Sequence, residues 1–221
     1  AFFTGNNSSH TYTLSNWTGT AQIDAVGMGD SDKLVVTKDA SSFTLRPSSL
    51  EVTGGPSVAF GFLEIVALTG GAGSNTFNLN GYIGKGSISG AGGVDTLAAS
   101  GMSAATTFTL TNTTFKVTEG QALTLSSIET AQLTGGSGNE TFTLSGWTNS
   151  GSIDGGTGND KFIVARNAAN FVLSDASVAT TGAGAFALTS VEIAELTATG
   201  TVNNTFDVSG WSGTGKLAPG A

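Results

Sequence analysis

Glycine-rich turns that end in a carboxylate or an amide are the residues of this chain whose types and spacing could do chemistry. They occupy residues 70–75, 135–140 and 155–160, and the last reads Gly-Gly-Thr-Gly-Asn-Asp. Glycine permits the positive φ angles of a tight turn, and a closing Asp supplies a hard oxygen ligand suited to Ca²⁺. The pattern predicts calcium-binding turns. The candidate ligands are Glu140, Asp154, Asn159, Asp160 and Asp95.

The spacing of the turns predicts that they stack. Asp160 follows Glu140 and Asp95 follows Asn75 at one and the same interval, about 20 residues, which is the length of a short solenoid repeat. Each pair should lie on one edge of adjacent coils, where an ion could sit between the turns. The alternative is that the turns are purely structural, with Asn and Asp side chains capping their own backbone. The sequence leaves both interpretations open.

An aromatic series has a longer and equally regular period. Its members are Trp17, Tyr82, Trp147 and Trp211, which follow one another at steps of about 65 residues. Aromatic faces bind sugars, so a row of these rings is a candidate glycan-binding surface. The alternative is that each ring fills a corner of the fold or covers the end of a core layer.

The chain has few groups for catalysis. His10 is the only histidine and there is no cysteine, so a nucleophile and base pair lacks its parts. Arg46 and Arg166 are the only arginines, and they do not fall at equivalent repeat positions. The acidic pair Asp30 and Asp32 is interpreted as solvated turn residues. We therefore predict that the protein is not an enzyme.

The turns and the rings belong to a repeat of about 65 residues. Its most regular landmark is the aromatic residue at positions 12, 77, 142 and 206. We predict a single array over residues 1–221, cut from a longer one. Its repeat units are residues 4–68, 69–133 and 134–196, with a partial unit at 197–221.

Local patterning predicts an all-β protein. In the run 141–144 two threonines alternate with Phe142 and Leu144, and glycine interrupts nearly every candidate helix. From the third repeat into the partial fourth, Phe142, Phe162, Phe186 and then Phe206 recur at steps of 20, 24 and 20, which predicts one stacked ladder. We expect a right-handed parallel β-solenoid of about ten coils, with roughly 20 to 22 residues per coil and with three of these coils in each repeat.

Composition narrows the classes of partner. The formal net charge is −8 with only 11% charged residues, so no basic patch exists to bind nucleic acid. No run of 18 apolar residues occurs, so we predict no membrane span. The uncapped ends of a solenoid predict self-association by end-to-end stacking or continuation into further repeats.

The phrases 151–160 and 127–136 resemble the β-strand-repeat regions of large bacterial secreted and surface proteins, filamentous-haemagglutinin-like and repeats-in-toxin-like adhesins among them. The run 155–163 follows the calcium nonapeptide of the latter at every defined position. The chain departs from that family because one turn motif occurs per coil and Asp is often replaced by Asn or Glu. The resemblance implies an extracellular or cell-surface structural segment, a stalk or matrix filament. A glycan-binding module that uses the aromatic row is the alternative.

Overall fold

The computed structural model describes residues 1–26, 31–100, 106–118, 120–200 and 203–220. Within these ranges the chain forms 24 strands and no helix, and the strands belong to two mostly parallel sheets. This arrangement confirms the all-β prediction and is consistent with a β-solenoid. The chain divides into two compact units, one made of residues 1–98 and 119–128 and the other of residues 99–118 and 129–221. The division does not follow the predicted repeat borders.

The first unit contains twelve strands, of which β11 continues past its border. They are β1 (Phe2–Thr4), β2 (Thr11–Thr13), β3 (Thr20–Asp24), β4 (Lys33–Thr37), β5 (Ser42–Arg46), β6 (Ser49–Val52), β7 (Ser57–Gly61), β8 (Ile65–Thr69), β9 (Thr76–Asn80), β10 (Lys85–Ser89), β11 (Thr96–Ser100) and β14 (Leu123–Ser126). One sheet has the order β1-β3-β7-β6-β5-β9-β11, and the other has the order β2-β4-β8-β10-β14.

The second unit repeats this plan. Its strands are β12 (Thr107–Thr111), β13 (Thr114–Val117), β15 (Thr130–Thr134), β16 (Thr141–Gly146), β17 (Ser150–Asp154), β18 (Lys161–Arg166), β19 (Asn170–Ser174), β20 (Ser177–Thr180), β21 (Phe186–Thr189), β22 (Ile193–Ala198), β23 (Thr205–Gly210) and β24 (Thr214–Ala218). The orders are β15-β17-β21-β20-β19-β23 in one sheet and β13-β12-β16-β18-β22-β24 in the other.

Stacked phenylalanines form much of each core. In the first unit the rings of Phe43 and Phe77 lie 4.8 Å apart and nearly parallel. In the second unit Phe108 stacks on Phe142 at 4.8 Å. Alternation of apolar and polar residues along each strand turns these side chains inward. A fully buried Phe contributes roughly 2 to 3 kcal/mol, so the ladder is a main source of stability in each unit.

Inserted hairpins are the feature that the sequence interpretation missed. Strand β6 pairs antiparallel with β5 and β7, β13 with β12, and β20 with β19 and β21. Two-residue turns at 47–48, 112–113 and 175–176 precede these strands. Residues paired across plain coils are 20 to 22 apart, as predicted, but those paired across a coil with a hairpin are 32 or more apart.

The hairpins change how the repeat winds. In the first unit the equivalent strands β2 and β9 lie in different sheets, and in the second unit so do β16 and β23. If each repeat contained a whole number of coils, equivalent strands of successive repeats would lie in the same sheet. They do not, so the prediction of three coils per repeat is wrong. The predicted phenylalanine ladder also fails: Phe162 pairs with Phe142 on one side but with Ala194 on the other. Phe186 lies in the other sheet opposite Gly151.

Candidate functional site

The glycine-rich turns stack in pairs within each unit. In the first unit Gly92 N donates to Gly71 O at 2.9 Å, which joins the turn 90–95 to the turn 70–75. In the second unit Thr157 N donates to Gly136 O at 3.0 Å, which joins the turn 155–160 to the turn 135–140. The equal sequence spacing of the turns therefore predicted both pairings.

The last residue of each turn is buried and holds the neighbouring coil. Asp95 Oδ1 accepts a hydrogen bond from Asn75 N at 2.7 Å, and Asp160 Oδ1 accepts one from Glu140 N at 2.6 Å. Asp160 N in turn donates to Glu192 Oε2 at 2.7 Å. In the second unit these bonds form a carboxylate ladder, Glu140–Asp160–Glu192. Each rung satisfies a backbone N–H at a corner between strands.

The first unit has a second such ladder that the sequence interpretation missed. His10 N donates to Asp32 Oδ1 at 2.7 Å, and Asp32 N donates to Glu64 Oε2 at 2.8 Å. The His10 ring also meets Asp32 Oδ1 at 3.2 Å. Asp32 is completely buried, so its interpretation as a solvated turn residue is wrong. Asp30 lies outside the described residues.

Each ladder ends at a glutamate, and a residue with a left-handed backbone conformation stands just before that glutamate in the chain. Phe62 (φ 57°) stands two residues before Glu64, and Ser190 (φ 51°) stands two residues before Glu192. A left-handed conformation is costly for residues other than glycine, and most of all for a bulky one such as Phe. Glu64 and Glu192 are therefore the acidic ends of these ladders. The regular recurrence of Glu after a fixed interval was the signal that could have identified them.

Burial makes Asp160 an unusual carboxyl group. It is fully buried, and its Oδ2 has no hydrogen-bond partner among the described residues. Burial raises the pKa of Asp160 to about 6. The bond from Glu140 N opposes this rise, whereas the nearby carboxylates of Glu140 and Glu192 add to it. The carboxyl group therefore favours its protonated form far more than an exposed Asp does.

Two asparagines fill the same turn position with an amide. Asn75 Nδ2 donates to Ala40 O at 2.7 Å in the first unit, and Asn204 Nδ2 donates to Ala168 O at 2.7 Å in the second. Asn75 Oδ1 also accepts from Gly71 N at 3.0 Å. An amide can therefore satisfy this corner without a charge, as the structural interpretation of the turns requires.

The predicted calcium ligands do not form one site. Glu140 and Asp160 are buried and accept backbone N–H groups, whereas Asp154 and Asn159 are exposed. Asp154 Oδ1 accepts from Gly156 N at 3.1 Å, and Asp95 belongs to the other unit. In the part of the chain that the structure describes, no group of three or more His, Asp or Glu residues could hold a metal ion. This donor set does not fit the six to eight converging oxygens that Ca²⁺ takes.

Calcium binding stays a prediction, and a melting experiment tests it directly. If Ca²⁺ binds, added Ca²⁺ should raise the melting temperature. At a hundredfold excess of free Ca²⁺ over Kd, the free energy of unfolding should rise by about 2.7 kcal/mol. EDTA would reverse the rise, and Asp160→Ala would remove it. Identical melting curves in Ca²⁺ and in EDTA would leave the turns structural.

The aromatic row is largely buried. Trp147 is 1% exposed and Tyr82 is 4% exposed, so neither ring can stack on a sugar. Trp147 Nε1 donates to Ser150 O at 3.3 Å, and the Tyr82 hydroxyl donates to Lys85 O at 3.1 Å. Trp211 makes the same bond to Thr214 O. Tyr82 and Trp147 therefore have the geometry of corner plugs, whereas Trp211 is half-buried and Trp17 is 38% exposed.

Arg166 supports the corner around Trp147. Its Nη2 donates to Leu144 O at 3.2 Å and to Trp147 O, and its Nη1 donates to Thr180 Oγ1 at 2.8 Å. Burial lowers the pKa of Arg166. The side chain thus serves as a fixed donor to the carbonyls of this corner, which is a structural role.

No protein-family model matches the chain, and no curated protein is significantly similar to it. No helix among the described residues is long and apolar enough to cross a membrane.

Proposed function

We propose that the chain is a structural repeat segment of a long extracellular bacterial fibre or adhesin. In this role it acts as a stalk or matrix filament at the cell surface and has no enzymatic activity. We further propose that its coils wind right-handed, the hand that parallel crossovers adopt in nearly all proteins. The support is a core made of stacked, in-register side chains, which can be lengthened by adding coils without a new design.

The observation that carries the proposal is an apolar layer left uncovered at an edge strand. In the second unit Leu217 pairs with Leu196 on the core side of β24. Leu196 is fully buried, but Leu217 is 43% exposed. In the first unit Tyr12 of β2 pairs with the buried Leu34 and is itself only half-buried. A further coil, from the same chain or from a second copy, would cover these layers and pair the edge backbone.

Self-association of the purified chain tests this proposal. We expect oligomers whose mass rises with concentration in analytical ultracentrifugation. Leu217→Lys should weaken the association by about tenfold or more, because it places a charge in an apolar contact. Ala218→Lys is the matched control, since Ala218 pairs with the outward-facing Thr197.

The two variants separate the proposal from its failure. Equal weakening by both lysines would indicate a charge effect on the outer surface and would contradict coil stacking. A monomer at every concentration would contradict self-association. The glycan alternative finds no support at Tyr82 and Trp147, since both rings are buried.

A further inference from the structure

One sheet of the first unit carries two lysines on an otherwise uncharged surface. Lys33 of β4 pairs with Ile65 of β8, which pairs with Lys85 of β10, so the two lysines point outward two strands apart. Strands lie about 4.8 Å apart, which separates the lysine stems by about 10 Å. We call this surface the lysine face. It consists of the outward residues of β2, β4, β8, β10 and β14.

The lysine face has a charge opposite to that of the chain. Among its described residues there is no Asp or Glu. The other members are Thr11, Thr13, Val35, Thr37, Ile65, Ala67, Thr69, Ser87, Ser89, Thr124 and Ser126, of which Ala67 is buried beneath its neighbours. Glu64 lies at its border, but its Oε2 accepts from Asp32 N along the corner. Neither lysine forms an ion pair within the described part of the chain.

The second unit has a lysine at the equivalent position, but there a glutamate neutralises its charge. Lys161 pairs in register with Ile193, and the next outward residue of that strand is Glu195. Lys161 Nζ lies 2.9 Å from Glu195 Oε1. In the first unit the position that matches Glu195 is Ala67, because Lys33 pairs with Ile65 and Val35 pairs with Ala67. The first unit therefore keeps the lysine and lacks its partner.

We propose that the lysine face binds an anionic polysaccharide. Each ammonium group offers three donors on a flexible stem, so it can follow carboxylates along a polymer. The Ser and Thr hydroxyls elsewhere on the lysine face both donate and accept, as sugar hydroxyls require. A face built from side-by-side parallel strands suits an extended chain rather than a compact ligand. Nucleic acid fits less well, because the net charge is −8 and no aromatic residue among these described outward positions can stack a base.

Binding to polygalacturonate, with neutral dextran as the reference polymer, tests the proposal. We expect the chain to bind polygalacturonate at low salt, to lose it at 0.5 M NaCl, and not to bind dextran; the salt effect follows from screening of exposed charges. Removing both charges with Lys33→Gln and Lys85→Gln should weaken binding by about tenfold, at up to about fivefold for each exposed contact.

The most informative variant gives Lys33 the carboxylate partner that it lacks. Ala67→Glu should weaken binding by up to about fivefold by neutralising Lys33, as Glu195 neutralises Lys161, whereas Ala67→Gln has the same size and should leave binding unchanged. Lys116→Gln with Lys216→Gln in the second unit removes the same charge elsewhere and should also have no effect. Unchanged melting curves would show that all variants fold.

Three results would overturn the proposal. The first is that Lys116→Gln with Lys216→Gln weakens binding as much as the lysine-face variants do. That result would place the binding site elsewhere or show that only the net charge matters. Equal affinity for single-stranded DNA would show a general polyanion surface. Absence of polygalacturonate binding at low salt would remove the ligand class. None of these results depends on whether coils stack, so the stalk proposal is tested separately.

Discussion

Gly158→Ala is expected to destabilise the second unit by about 3 to 5 kcal/mol, from a left-handed backbone and a steric clash combined. Gly158 has φ 141°, and a Cβ built on it would lie 1.7 Å from Gly138 O in the neighbouring turn. The two stacked turns are joined by backbone bonds, so neither can withdraw without breaking them. Urea denaturation monitored by circular dichroism measures the change.

Gly182→Ala separates the two contributions. Gly182 also has a positive φ, 82°, but a Cβ there would meet no atom within 4 Å. We expect it to cost about 1 to 2 kcal/mol, which is the backbone part alone. If both variants cost the same, close stacking of the turns in solution would be contradicted. If Gly158→Ala destabilises the second unit by about 2 kcal/mol more than Gly182→Ala does, then Gly158 is needed for the close approach of two backbones as well as for the shape of its own turn.

The sequence predicted the elements that depend on local pattern. Alternation of Thr with Phe and Leu predicted strands such as β16, and the equal spacing of the turns predicted that Glu140 and Asp160 lie on adjacent coils. Register between neighbouring plain coils follows from residue identity, since Thr141-Phe142-Thr143 pairs with Lys161-Phe162-Ile163. In these places one residue type repeats at a fixed interval, and stacking like on like is the arrangement that buries the apolar side chains.

The winding could not be predicted from the same spacing. Pro47-Ser48, Asn112-Thr113 and Asp175-Ala176 are short turns, and each inserts an antiparallel strand that lengthens its coil. The long repeat has no unique division into coils, because short strands in a hairpin and in a plain coil share the same alternation. The choice depends on which partners cover the apolar faces, and that is a long-range property.

The direction of side chains at the corners was also beyond the sequence. A carboxylate that ends a glycine turn can point outward to an ion or inward to a backbone N–H, and the residue type is the same in both cases. Asp160 points inward, where its carboxylate accepts the backbone N–H of Glu140. Trp147 likewise turns inward, where the carbonyl of Ser150 accepts its ring N–H. Such choices are decided by backbone groups that come within reach only once the coils are stacked.

The second large effect that we expect is a pH dependence: the free energy of unfolding of the second unit should fall as the pH rises towards 6. The pKa of Asp160 is raised from the ordinary 3.8 to about 6. Below pH 3.8 the carboxyl is protonated in the folded and the unfolded chain alike, so its full contribution is present. As pH rises, the unfolded chain ionises first and the folded state loses stability until the folded group ionises near 6. The loss is about 1 to 3 kcal/mol.

Asp160→Asn isolates this group from every other titration. The amide oxygen can still accept from Glu140 N, and an asparagine occupies the same turn position at Asn75 and Asn204. The new amide N–H can donate to the Glu140 carboxylate, where the ionised Asp160 repels it. We expect the variant to melt higher than the parent chain at pH 7.5 and to match it near pH 4. Calorimetry at several pH values in EDTA measures the difference.

Asp154→Asn is the matched control for this experiment. Asp154 is exposed, and its bond from Gly156 N survives with an amide oxygen, so the variant should melt with the parent at pH 7.5. If Asp160→Asn melts lower than the parent at pH 7.5, the ionised carboxylate stabilises the fold through the bond that it accepts from Glu140 N, and this prediction is contradicted. The melting difference between these two asparagine variants therefore decides whether Asp160 stabilises the second unit better in its protonated or in its ionised form.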